Sequence, residues 1–162
     1  MSETLHPQTM IGHVHLKVSD LERAVKFYTE LLGFEVMTRW EDRAAFLSAG
    51  GYHHYLGLNT WESLGGPPPA RGATGLYHFA ILYPNRRELA RAVRRIVDHG
   101  WTLSGMSDHG VSEAIYLDDP DGNGVELYCD RPRDQWPRGP NGELVMFSHT
   151  LDLDMLLIEL EE

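Results

Sequence analysis

One succession of elements occurs twice in this chain, and that repetition limits the folds open to it more than any other feature. Ile11-Gly-His-Val-His-Leu-Lys-Val18 alternates, with Val14, Leu16 and Val18 on one face and His13, His15 and Lys17 on the other, as a half-buried strand does. The period then changes. Ser19-Asp-Leu-Glu22 has the spacing of a capping box, and Leu21, Ala24, Val25, Tyr28, Leu31 and Leu32 recur at helical intervals until Gly33. Extended runs at 34–40, 44–49 and 52–60, separated by turn residues, complete a β-α-β-β-β unit. Three consecutive prolines, Pro67 to Pro69, make 61–75 an extended linker. The plan then restarts with a strand at 76–83, a cap at Asn85-Arg-Arg-Glu88, a helix carrying Leu89, Ala92, Val93, Ile96 and Val97, and a stop at Gly100. Strands are predicted at 101–106, 112–118 and 124–129. His13 aligns with His78 (78 − 13 = 65) and Gly33 with Gly100 (100 − 33 = 67), so the chain reads as a duplicated unit.

Two such units, about 11–60 and 76–129, predict an α+β fold: paired βαβββ units form a single curved-sheet module over 11–130, with helices outside and a cleft inside. Within the hairpin Tyr116-Leu-Asp-Asp-Pro-Asp-Gly-Asn-Gly-Val-Glu-Leu-Tyr128, Val125 and Leu127 face the core, so Glu126 leaves the opposite face. By the same parity His13 points away from Val14, Leu16 and Val18, and His78 is its repeat partner. Two imidazoles and one carboxylate converging in a cleft suit a divalent cation that keeps open coordination positions. Taken singly, His13 or His78 reads as a structural histidine and Glu126 as a solvent-facing one; the repeat-related placement of all three favours the metal reading. The Asp118–Gly124 stretch is accounted for by turn chemistry, Cys129 by burial, and His99 by the helix C-terminus beside it. The tail, 131–162, is expected to end in a short helix within Leu151–Leu160 whose apolar face docks elsewhere, for example on a second subunit.

With 14 Lys plus Arg against 24 Asp plus Glu the net charge is −10, which repels nucleic-acid phosphates and anionic membranes. A single cysteine, Cys129, forms no internal disulfide, and no apolar run suggests a signal peptide or a membrane span of about 18 residues. A cytoplasmic location is expected.

The chain resembles the vicinal oxygen chelate superfamily, which includes glyoxalase I, bleomycin resistance proteins, fosfomycin resistance enzymes and type I extradiol dioxygenases. The resemblance rests on residues 13–34, on Tyr77-His-Phe-Ala-Ile81 and on Asp119-Pro-Asp-Gly-Asn-Gly-Val-Glu-Leu127. It implies one metal held between the units by His13, His78 and Glu126. Where the glyoxalase I pattern has a fourth ligand, a Glu, this chain has Gly57. The chain looks most like catechol 2,3-dioxygenase-like proteins: His54-Tyr-Leu-Gly-Leu58 matches their pattern around a further histidine, and Tyr116 stands ten residues before Glu126 as that pattern requires. His109, seven residues before Tyr116, is the candidate for a second acid–base histidine, two residues closer than the pattern expects. Strand parity favours His53 over His54 for the cleft face.

The resemblance implies an Fe(II)-dependent extradiol-type dioxygenase acting on a catecholic aromatic with O2. His54 or His53 would take a substrate proton, and His109 and Tyr116 would manage protons during ring opening. Trp40, Phe46, Tyr55 and Tyr128 are candidate walls for the aromatic ring. Two alternatives stand beside this. One is a glyoxalase-type isomerase or thiol transferase using Zn, Mn or Ni; the other is a small-molecule binding or resistance protein without catalysis. Sheet edges or the tail could join two copies into a homodimer. Many extradiol enzymes carry two such modules, whereas this sequence holds one and a tail.

Overall fold

The computed structural model describes residues 4–161. The first unit runs β1 (Val14–Lys17), α1 (Leu21–Lys26), β2 (Glu35–Trp40), β3 (Ala44–Ser48) and β4 (Leu56–Asn59). The second runs β5 (Phe79–Leu82), α2 (Arg86–Asp98), β6 (Leu103–Asp108), β7 (Ser112–Asp118) and β8 (Gly124–Asp130). Each unit forms its own four-stranded mixed sheet, β1-β4-β3-β2 and β5-β8-β7-β6, in which the first and last strands are parallel and the remaining pairs antiparallel. The architecture is the expected α+β pair of βαβββ units. Even the irregularities repeat: register shifts lie between Val36 and Thr38 and between Leu103 and Gly105, at one offset (103 − 36 = 67).

The apolar positions read from periodicity form one core, except Val97 near the end of α2, which is exposed. Leu16, Val18, Leu21, Ala24, Val25, Tyr28, Leu89, Val93, Ile96, Val125 and Leu127 are all buried in it. The two helices begin in the same way, with an Asx side chain accepting from the amide three residues on. Asn85 caps α2 as expected, accepting from the Glu88 amide at 2.9 Å. In α1 the cap is Asp20, which accepts from the Arg23 amide at 3.0 Å, and not Ser19. Ser19 is taken up elsewhere: its hydroxyl donates to Asp121 Oδ1 of the second unit at 2.5 Å. The first helix also widens into a π-helical turn over Phe27–Leu31, where the adjacent aromatics Phe27 and Tyr28 are both buried. Gly33 ends it at φ 87°, and from α2 Arg95 donates to the Leu31 and Leu32 carbonyls at 2.7 and 3.0 Å, satisfying acceptors that a helix end leaves open.

The expected strand at 52–60 is shorter, since only Leu56–Asn59 pair. The tail contains a short hairpin closed by the Arg138–Leu144 bridge and a helix, α3 (Leu153–Leu157). Leu151, Leu156 and Leu157 are buried in the shared core and α3 packs on α2, so these tail residues are covered by their own chain, while Met155 and Ile158 stay exposed. Among the described residues no helix is long and apolar enough to cross a membrane.

Cys129 is buried on β8, and burial first, the Glu113 carboxylate second, push its thiol up to about 11. At pH 8 the thiolate fraction is then on the order of 10⁻³, against roughly a quarter for an ordinary cysteine. A chromogenic disulfide reagent at pH 8 is therefore expected to label the folded protein at least ~10²-fold more slowly than the urea-unfolded chain. Equal rates would place the thiol at the surface.

Candidate functional site

In the second unit the alternation of β8 does what its sequence implies: Val125 and Leu127 are fully buried, while Glu126 leaves the other face and is only partly covered. The parallel pairing of Ala80 with Glu126 and Phe79 with Val125 sets His78, the residue just before β5, beside the start of β8. Gly124 makes that approach feasible, since a Cβ there would collide with the Tyr77 carbonyl oxygen and come within 3.0 Å of the His78 Cβ. His78 Nε2 consequently lies 2.9 Å from Glu126 Oε2.

Tyr116 on β7 is the cross-strand partner of Glu126, and its phenol oxygen lies 3.1 Å from Glu126 Oε1. On its other side the phenol meets His109 Nε2 at 2.8 Å. A continuous chain of polar contacts thus runs from His109 through Tyr116 and Glu126 to His78. Burial foremost, then the negative charge of Glu126 and the hydrogen bond to it, push the Tyr116 phenol up to about 12. Tyr116 therefore keeps its proton across the neutral range.

The first unit gathers a second cluster. His13, just before β1, packs against His54 with ring centroids 4.5 Å apart, and Phe46 of β3 stands 5.2 Å from the same ring. His53 stacks on Tyr52 at 4.0 Å and brings its Nδ1 within 2.8 Å of the His54 Nδ1. Residues 52–55 lie outside the strand, so the parity that favoured His53 does not apply to them, and it is the half-buried His54 that meets His13. Burial, then the neighbouring His13, His53 and His15, hold the His54 imidazole below its usual range, leaving it neutral at pH 7.

Gly57 pairs with His15 as Glu126 pairs with Ala80, so the two positions correspond in the repeat. A Cβ at Gly57 would come within 2.9 Å of the His15 ring. His15 therefore fills the space that a side chain at Gly57 would need, and its ring is held between Phe46 and Trp61 at 5.8 and 5.5 Å. Of the other expected wall residues, Trp40 packs edge-on against Trp61, Tyr55 stacks on Tyr52, and Tyr128 lies on β8 two residues beyond Glu126.

The donor chemistry suits a divalent cation in part. Two adjacent ligands of an octahedral ion with bonds of about 2.1 Å stand about 3 Å apart, and the His78–Glu126 separation of 2.9 Å matches that edge. The third expected donor, His13, stays with His54, and among the described residues no three His, Cys, Asp or Glu side chains are close enough together to hold an ion. Two features near these residues had no legible signal in the sequence. Trp61 covers His15 from the linker, and the tail segment at Phe147–His149 reaches His109, whose Nδ1 lies 2.9 Å from the Phe147 carbonyl oxygen.

Comparison with known proteins places the chain in one superfamily. Residues 10–127 match the family model described as the Glyoxalase/Bleomycin resistance protein/Dioxygenase superfamily. The chain is 46% identical over 156 residues to catechol-2,3-dioxygenase of Bacillus subtilis (strain 168), covering 96% of this chain and 54% of that protein. It is 31% identical over 121 residues to biphenyl-2,3-diol 1,2-dioxygenase 3 of Rhodococcus globerulus, covering 74% of this chain and 63% of that protein. The chain thus spans less than two thirds of the length of these relatives. Its fold is shared with the crystal structure of a glyoxalase/dioxygenase from Nostoc punctiforme, with a TM-score of 0.63 at 22% identity, over 82% of this chain and 99% of that one.

Proposed function

Because the chain belongs to the glyoxalase/bleomycin resistance protein/dioxygenase superfamily, we propose that it is a metal-dependent, extradiol-type dioxygenase that cleaves the ring of a catecholic aromatic with O2. The observation that carries this reading is the chain of contacts His109–Tyr116–Glu126–His78, which joins a proton-carrying pair to a carboxylate–imidazole pair of metal-binding type. The 46% identity to a catechol-2,3-dioxygenase supports the same reaction class.

His78 and Glu126 would hold the cation, with His13 as the third donor. Bound there, a divalent cation supplies Lewis acidity that favours the ionised catechol, and Fe(II) adds electronic contact with O2. The remaining work falls to this chain's own groups. Neutral His54 can accept the second catechol proton through Nε2 in the tautomer whose Nδ1 donates to His53. Tyr116, protonated at neutral pH, can deliver its proton to an oxygen that becomes anionic as the ring opens, and His109 holds the phenol in place through Nε2. Phe46 and Trp61 offer apolar surface near these groups. The overall change adds both atoms of O2 to the catechol and yields a ring-opened semialdehyde.

Gly57 favours this reading over a glyoxalase-type isomerase, since the position that corresponds to Glu126 carries no carboxylate and its space is filled by His15. The test is anaerobic reconstitution with Fe(II), followed by oxygen uptake and visible absorbance of the semialdehyde over a panel of catechols. Stoichiometric oxygen consumption with at least one catechol is expected. Isomerase activity with Zn, Mn or Ni, and no oxygen uptake with any catechol, would overturn the assignment.

A further inference from the structure

We propose that the tail segment Phe147–His149 is a strap that fixes the tautomer of His109, holding the proton on Nδ1 and leaving Nε2 as the acceptor toward Tyr116. This deepens the dioxygenase reading and rests on it for its catalytic meaning. The structural part of it stands alone.

A backbone carbonyl can only accept a hydrogen bond. With Phe147 O 2.9 Å from His109 Nδ1, that nitrogen must carry a hydrogen, and in the neutral ring Nε2 is then a bare lone pair. Tyr116 has one phenol proton and two acceptors, His109 Nε2 at 2.8 Å and Glu126 Oε1 at 3.1 Å. With Nε2 fixed as an acceptor the proton lies toward His109, on the shorter contact, and Glu126 keeps its lone pairs for other partners. In the opposite tautomer, Nε2–H would point at the phenol oxygen, Tyr116 would donate to Glu126 instead, and His109 could not take the Tyr116 proton. The strap therefore sets which of its two neighbouring acceptors the Tyr116 phenol serves.

Four further features hold the strap in place. His149 and Asp108 exchange backbone hydrogen bonds at 2.8 and 2.9 Å, so the tail pairs with the free edge of β6. Ser107 and Ser148 hydroxyls meet at 2.6 Å, and the Phe147 and His149 rings stack at 4.2 Å. Gly110, next to His109, has φ 76°, and a Cβ there would lie 2.6 Å from the Phe147 ring and 2.8 Å from Pro137. Gly110 thus allows the turn after His109 to lie directly under the strap. Phe147, Ser148 and His149, 38 or more positions from His109 in sequence, are positioning residues: none needs to touch substrate.

The test is a long-range ¹H–¹⁵N correlation spectrum of His109 in the metal-free, ¹⁵N-labelled full chain above pH 8, with assignment by the loss of its signals in His109→Gln. The wild-type ring is expected to show a protonated Nδ1 and an unprotonated Nε2. In Gly110→Ala, which drives a methyl group into Phe147, and in His149→Pro, which removes the amide that pairs with Asp108, the ring should shift toward the Nε2–H form that free histidine favours. His149→Pro alters only exposed tail backbone and serves if Gly110→Ala fails to fold. In the Fe(II)-loaded protein both variants should lower the oxygen-uptake kcat about 10-fold or more with KM little changed. An Nε2–H ring in the wild type, or a tautomer that neither variant moves, would overturn the strap. Absence of dioxygenase activity with the tautomers as expected would instead sink the functional reading and leave the strap standing.

Discussion

Glu126→Gln is expected to abolish oxygen uptake, by at least ~10³-fold, while leaving the fold intact. The substitution keeps shape and hydrogen-bond acceptance but removes the negative charge that a divalent cation needs beside two neutral imidazoles. Even groups that merely orient a metal ligand typically change affinity 10–100-fold, so loss of the charged ligand should exceed about 10²-fold in metal affinity. Stability should change little. The side chain is mostly covered, 13% exposed, but a Gln amide of the same shape can still hydrogen-bond the Tyr116 phenol, which lies 3.1 Å from Glu126 Oε1 in the wild type. Metal content after dialysis, oxygen uptake with the best catechol and a urea unfolding curve give the three readouts together. Wild-type metal content and turnover in the variant would remove Glu126 from the site.

Asp119→Ala is expected to cost the fold about 3–5 kcal/mol, which lowers Tm by about 10 °C in a chain of this size. Asp119 is buried, and its two oxygens accept four hydrogen bonds: from the Asp121 and Asn123 amides at 2.9 and 2.8 Å, from Asn123 Nδ2 at 2.9 Å, and from the Tyr28 hydroxyl at 2.8 Å. Alanine would leave the Tyr28 hydroxyl unpaired inside the core, since Tyr28 has no exposed surface, and would free the turn before β8. That turn also carries Asp121, which accepts from Ser19 and Arg23 of the first unit, so one carboxylate supports the turn and the junction of both units. Tyr28→Phe, which removes one of the four bonds, should cost about 1–2 kcal/mol. Urea unfolding of both variants checks the ranking. Equal, small losses would mean that the junction does not depend on Asp119.

Much of this organisation was legible in the sequence. The apolar positions of both helices, the Asn85 cap, the Gly33 and Gly100 stops and the parity that points Glu126 away from Val125 and Leu127 all follow from neighbours within one or two turns. The correspondence of Gly57 with Glu126 came from the strand register, since the sequence offsets of 65 and 67 do not map one onto the other. Other readings failed for definite reasons. The capping box at Ser19 looked complete, but Asp121, 102 residues away, draws the Ser19 hydroxyl and the cap shifts to Asp20. Residues 52–55 look like strand, yet β4 begins at Leu56, and the choice between His53 and His54 turned on that boundary.

Thus the sequence determined the duplicated unit, the core stripes and the donor types, since periodicity, caps and turns act between residues that are close in the chain. Only the tertiary structure decided that Tyr28 and Asp119 lock the units across 91 residues, that His78 pairs with Glu126 while His13 lies on His54, and that the tail returns to His109. Those contacts depend on how packed elements meet in space, where a carboxylate or a carbonyl takes whichever donor the core brings within reach, and no local spacing records which donor that is.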